Sequence, residues 1–324
     1  MTSPDDTSPA GDEGRPGTAG TLVDEELAAF IAMARSDAGP SPRELGAEAM
    51  RAGQRKRVLA APRGPEVGTV RDLRVGEGKV PVRLYRPEGV PRGVVVFLHG
   101  GMWVIGDLES HDRACRRLVA STGVCVVAVD YRLAPEHRWP AAVDDAVAVL
   151  RWARDDAGAT TGSAGPLAAM GDSADGNLAT LACLRLRDAG EPLPDLQVLL
   201  YPNTDLTLSQ PSVREKGTGW GLNADAVAWG AELWVPDAGR RADPHVSPLY
   251  ADLHGLPPAV VVTAEHDPLR DEGDAYAERL AKAGVEVRHR CEAGLVHGFL
   301  TLDAVSPGAA AAGERVFEDV AELM

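Results

Sequence analysis

The chain reads as an α/β protein whose mostly parallel sheet is covered by helices on both faces, and three observations point there. Strand-length runs that are apolar throughout, such as 93–98 and 124–129, suit strands buried on both faces. Segments of helical period separate these runs, the alternation that builds parallel strand–helix–strand units. Finally, an apolar run from Leu167 to Met170 stops at Gly171, turns at Ser173 and enters the helical pattern Leu178, Leu181, Ala182, Leu184 and Leu186. Ligand sites in such sheets lie at the carboxyl ends of the strands.

Residues 1–20 are acidic, polar and rich in Pro and Gly, and read as a disordered tail with neither the basic start nor the apolar block of a secretory signal. Residues 21–61 read as two cap helices, the second opened by Ser41-Pro42, an N-cap followed by proline in the first turn. The core spans 62–202 and 248–324. It begins with a hairpin, 67–75 and 79–85, whose alternating pattern turns at Gly76-Glu77-Gly78. Buried strands follow at 93–98, 124–129, 167–170 and 196–200, with helices at 110–121, 141–157 and after Ser173. Between 203 and 247 the rhythm breaks: three tryptophans and a helical segment, 224–233, occur without a buried strand. This stretch reads as an inserted lid. Strands at 258–263 and 285–291 and helices at 271–283 and 307–324 complete the core.

A formal charge of −15 disfavours nucleic acid and anionic membranes as partners, since both would be repelled. No apolar run approaches the length of a membrane span. The four cysteines, Cys115, Cys125, Cys183 and Cys291, have no metal-binding spacing and read as buried free thiols in a reducing cytoplasm. No metal or cofactor motif is present: there is no HExxH and no phosphate loop. The expected partner is a small molecule, and the chain is expected to act as a monomer or homodimer.

A serine at a strand-to-helix turn projects its hydroxyl beside the free N–H groups of the helix start. It is a poor nucleophile until a base takes its proton, and the base works best when a carboxylate fixes its tautomer. Two later loops supply both groups: 263–272, carrying Asp267, and 293–299, carrying His297. A fourth loop, His99-Gly100-Gly101-Met102-Trp103, follows the strand at 93–98. Its glycines expose backbone N–H groups that stabilise a tetrahedral oxyanion. The amides of Gly101, Met102 and Ala174 are assigned to that hole, with Gly100 supplying the turn. Trp103, Trp220 and Phe299 are candidates for a pocket lining.

With HGGMW at 99–103, GDLESHDRACRRLVA at 106–120, DYRLAPEHRWPAA at 130–142, GDSADGNLA at 171–179, EHDPLRDEG at 265–273 and HGF at 297–299, the chain resembles the bacterial hormone-sensitive-lipase family, family IV of the carboxylesterases. The resemblance implies an α/β-hydrolase fold with an eight-stranded sheet under a helical cap. It also implies hydrolysis of short- to medium-chain or small-metabolite esters through an acyl-enzyme, with Ser173 as nucleophile, His297 as base and Asp267 as its orienter. Asp130, Arg132, Glu136 and His137 would form a structural network.

Two departures stand out: Met102 and Asp175 occupy positions where the family has glycine. Met102 is expected to reshape the pocket, and Asp175 to place a carboxylate close enough to oppose the oxyanion and favour protonation of His297. The leading reading is a serine carboxylesterase. The alternative is a hydrolase-like enzyme of specialised metabolism performing acyl transfer, elimination or cyclisation, with Asp175 as an extra acid or base. A non-catalytic ligand-binding homologue stands third.

Overall fold

The computed structural model describes residues 21–36, 39–155 and 157–324; the acidic tail expected at 1–20 lies outside them. Two helices open the chain, α1 (Glu25–Ser36) and α2 (Pro42–Ala60). Ser41 caps α2 in a reciprocal box: its hydroxyl accepts from Glu44 N–H while the Glu44 carboxylate accepts from Ser41 N–H. Eight strands follow: β1 (Thr69–Val75), β2 (Val80–Arg86), β3 (Val94–Leu98), β4 (Cys125–Val129), β5 (Leu167–Asp172), β6 (Leu196–Leu200), β7 (Ala259–His266) and β8 (Val287–Val296). They form one sheet in the order β1-β2-β4-β3-β5-β6-β7-β8. The β1–β2 and β2–β4 pairs are antiparallel, and every other pair is parallel.

The alternation of side chains along each strand divides the core. Val94, Val96 and Leu98 face α4 (Ala141–Asp155) and α6 (Ala174–Asp188), meeting Val147, Leu150, Leu178 and Ala182. Val95 and Phe97 face α3 (Asp112–Thr122) and α10 (Pro307–Leu323), meeting Leu118, Val119, Val316 and Phe317. Both strand faces are therefore dry, as the unbroken apolar runs require. Helix α9 (Arg270–Lys282) packs beside β7 and β8, and the short α5 (Ala157–Thr161) follows α4. Among the described residues, no helix is long and apolar enough to cross a membrane.

Between β6 and β7 lie α7 (Pro211–Lys216) and α8 (Ala224–Trp234). Helix α8 leans on α2 through ion pairs from Arg43 to Glu232 at 2.7 Å and to Asp225 at 3.8 Å.

Three sequence expectations need correction. Residues 263–266 and 293–296, read as loops, are strand ends, because pairing between β7 and β8 continues past the apolar stretch to Ala264–Glu292 and, after a bulge, to His266–Val296. Residue 157 begins a separate short helix, α5, after α4 ends at Asp155. Cys115, Cys125 and Cys183 are buried, but Cys291 is exposed because β8 is an edge strand whose first half faces solvent.

Candidate active site

Parallel register brings the ends of β3, β5, β7 and β8 to one edge, so the residue after each strand joins a single constellation. Those residues are His99, Ser173, Asp267 and His297. Ser173 sits at φ 59°, ψ −125°, a conformation that costs free energy for any residue with a side chain. Two backbone bonds hold it there: Ser173 N–H donates to the Leu200 carbonyl at 2.8 Å, and Asn203 N–H donates to the Ser173 carbonyl at 3.0 Å. Its hydroxyl lies 2.8 Å from His297 Nε2, and His297 Nδ1 lies 2.7 Å from Asp267 Oδ2. Asp267 is fully buried, and its other oxygen accepts from Leu269 N–H at 2.8 Å. With the Nδ1 proton directed at this carboxylate, Nε2 presents a lone pair to the serine hydroxyl. The edge of the Tyr201 ring closes on the imidazole at 4.8 Å between centroids.

The loop after β3 faces this chain of hydrogen bonds. Gly101 has φ 145°, and a Cβ there would meet the Ile105 carbonyl at 2.1 Å, so only glycine fits the turn. Met102 and Trp103 continue with positive φ, 57° and 59°. Gly100 N–H is already committed to Asp172 Oδ1 at 2.8 Å. Among the described residues, nothing accepts from the N–H groups of Gly101, Met102 or Ala174. Three unpaired amides thus border the serine.

Asp172 and Asp175 flank Ser173 and are driven in opposite directions. Burial alone would raise the Asp172 pKa, but the adjacent His111 ring, 3.2 Å away, and the Gly100 amide outweigh it and hold the carboxyl below its usual range. Asp175 is wholly buried, and desolvation reinforced by the Asp172 charge drives its pKa well above the carboxylate range. Its Oδ2 lies 2.9 Å from Tyr131 Oη, which also lies 2.9 Å from the His99 carbonyl. His99 stacks on Tyr131 at 4.6 Å, and burial, with His111 nearby, pushes its pKa down to about 4.

A cavity of about 670 Å³ opens onto Ser173 and His297. Gly100, Gly101 and Met102 form its floor, Phe30, Val58, Ile105, Leu222 and Leu302 supply apolar wall, and Arg57, Arg63 and Arg113 stand among its polar lining. Helices α1 and α2 therefore cover the site. Arg51 of α2 ties this cover down: Nε donates to the Val104 carbonyl and Nη2 to the Ala134 carbonyl, each at 2.7 Å, and the fork grips Glu136. Arg132 pairs with Asp145 at 2.9 Å. Asp130 is driven toward the neutral form chiefly by burial.

Several expectations fail at this level. Trp103, Trp220 and Phe299 do not line the cavity. Trp103 is buried against Trp234 in a parallel stack at 4.3 Å, Trp220 stacks on His266 at 4.1 Å, and Phe299 packs edge-on to Tyr201 at 5.0 Å. Large aromatic surface was taken up by packing. Asp175 does not face the cavity either, because the first turn of α6 aims it at Tyr131. Met102 does line the cavity, and it is pressed against Gly230 of α8. The sequence reading missed His111 and Asp172. The acid beside the serine was their only signal, because the contact joins residues 61 apart.

Residues 95–301 match the alpha/beta hydrolase fold family. The carboxylic ester hydrolase LipN of Mycobacterium tuberculosis is 43% identical over 265 residues, covering 78% of this chain and 70% of that protein. The ethyl acetate hydrolase of Pseudomonas putida is 38% identical over 267 residues, covering 80% and 84%. A hyperthermophilic esterase from Pyrobaculum calidifontis superposes with a TM-score of 0.84 at 35% identity, covering 94% of this chain and 99% of that one. With its eight-stranded sheet, the HGG loop and the GDSADG turn in register at one edge, the chain belongs to the hormone-sensitive-lipase-like family IV of the α/β-hydrolases.

Proposed function

We propose that the protein is a serine carboxylesterase acting on short- to medium-chain or small-metabolite esters. The observation that carries this reading is the continuous line from Asp267 through His297 to Ser173, ending on a cavity beside three unpaired amides. Ser173 Oγ attacks the ester carbonyl as His297 Nε2 takes its proton, and Asp267 steadies the imidazolium. The oxyanion accepts from Gly101, Met102 and Ala174, each donor lowering the barrier by about 3–4 kcal/mol. Collapse expels the alkoxide, which takes the proton from His297 and leaves an acyl-serine. Water, deprotonated by the same imidazole, then releases the acid and restores the serine.

The relatives named as ester hydrolases support the reaction class, and the apolar walls support an acyl or alcohol group of modest size. The reading with Asp175 as an extra acid or base at the substrate has no group to use, since that side chain is buried away from the cavity. A cytoplasmic enzyme whose partner is its small-molecule ester fits the buried free thiols and the acidic surface. The test is turnover of a p-nitrophenyl acetate-to-decanoate series by the natural protein and by Ser173→Ala. The proposal expects saturable hydrolysis that declines toward decanoate and vanishes in Ser173→Ala. Turnover that survives in Ser173→Ala contradicts it.

A further inference from the structure

Proton counting around Tyr131 leads to a role for Asp175. Tyr131 Oη has a single proton, yet two oxygens lie 2.9 Å from it: the His99 carbonyl and Asp175 Oδ2. All three groups are buried from water, and the hydroxyl cannot donate to both at once. Were Asp175 ionised, it would draw that proton and leave the His99 carbonyl without its partner. It would also leave Oδ1, which has no partner among the described residues, as a bare buried charge. The start of α6 favours negative charge, but that effect is small beside full desolvation next to Asp172. The arrangement that satisfies every donor runs one way: Asp175 O–H to Tyr131 Oη, and Tyr131 O–H to the His99 carbonyl.

We propose that Asp175 is a positioning residue: as a neutral acid it donates to Tyr131, commits the Tyr131 proton to the His99 carbonyl, and so fixes the loop presenting the Gly101 and Met102 amides. The loop is then pinned from two sides. Asp172 holds it as an anion through Gly100 N–H, and Asp175 holds it as an acid through Tyr131. The two carboxyl groups need opposite protonation states to do this. This rests on the reading of the loop as an oxyanion hole.

The experiment compares Asp175→Asn, Asp175→Ala and Tyr131→Phe with the natural protein for kcat, KM and the pH dependence of kcat/KM. Infrared spectra of the natural protein and Asp175→Asn are recorded in the protonated-carboxyl region at neutral pH. Asparagine donates as the neutral acid does, so it should restore kcat to within about twofold and leave the acid limb of the profile unmoved. Alanine and Tyr131→Phe should each lower kcat about tenfold with KM within about twofold, the pattern of loosened oxyanion donors. The difference spectrum, natural protein minus Asp175→Asn, should show a protonated-carboxyl band. No such band, or an acid limb displaced to lower pH in Asp175→Asn, would show an ionised Asp175 acting on His297 and overturn the proposal. Equal damage from Asn and Ala would do the same. The infrared comparison needs no turnover, so an inactive natural protein would count against the esterase reading while the band still decided the state of Asp175. If the alanine variant does not fold, the asparagine variant and the band decide.

Discussion

Replacing Gly230 with alanine should cripple catalysis while leaving the fold nearly intact. A Cβ at Gly230 would lie 2.7 Å from Met102 Cβ and 3.0 Å from the Met102 carbonyl oxygen. Ordinary carbon contacts are about 3.5–4.0 Å, so α8 and the loop must part by roughly 1 Å. No rotamer change relieves this, because both Met102 atoms belong to the backbone or sit directly on it. Met102 N–H is one of the three unpaired amides assigned above to the oxyanion, and a 1 Å displacement of such a group can lower kcat by about 10²-fold. For stability, alanine in a helix gains about 1 kcal/mol, and overpacking costs about 1–3 kcal/mol, giving a net loss between zero and about 2 kcal/mol. The assay is kcat on p-nitrophenyl butyrate alongside thermal unfolding. Met102→Gly removes the nearer contact, so the double variant should recover most of the lost kcat. Natural kcat in Gly230→Ala, or a loss of the same size with and without the Met102 side chain, would show that contact between α8 and the loop does not set the position of the Met102 amide.

Three further outcomes are expected. His99 carries a pKa of about 4 when folded against 6.5 as its ordinary value, so between these pH values the unfolded chain binds a proton that the folded one does not. Its contribution is complete above pH 6.5 and lost as pH falls toward 4, by at most roughly 3 kcal/mol; urea midpoints should fall across that window, and less steeply in His99→Asn. Asp267→Asn should lower kcat by on the order of 10⁴-fold with KM little changed, because the amide no longer fixes the His297 tautomer; steady-state kinetics on the same ester reads this. Under native conditions a thiol reagent should titrate Cys291 alone, and Cys115, Cys125 and Cys183 only after unfolding.

Much of this site is legible because strand ends are legible. An apolar run that stops marks where a parallel strand delivers its next residues: the HGG loop stands at such a stop, Ser173 lies just beyond another, and Asp267 and His297 lie in the stretches that follow the next two. Where a polar strand end pairs with a neighbour, as Thr263 to His266 does, the run stops short of the strand and the boundary misleads. The pocket lining was not legible: whether Trp103 faces a cavity or stacks on Trp234 depends on a residue 131 positions away that no local pattern registers. Asp175 was legible in part. It precedes Leu178, Ala179 and Ala182 by three, four and seven residues, which puts it on the buried stripe of α6 instead of the substrate side. Its partner, Tyr131, lies 44 residues away and needed the folded structure.

The most direct measurement is labelling with a fluorophosphonate, followed by intact mass and peptide mapping. The phosphonyl group mimics the tetrahedral intermediate and bonds only to a serine activated by its base and faced by oxyanion donors. One equivalent of adduct is expected, located on Ser173, with loss of ester turnover in step and no adduct in Ser173→Ala. An unlabelled Ser173 in the folded protein, or turnover that persists once Ser173 is fully phosphonylated, would contradict it.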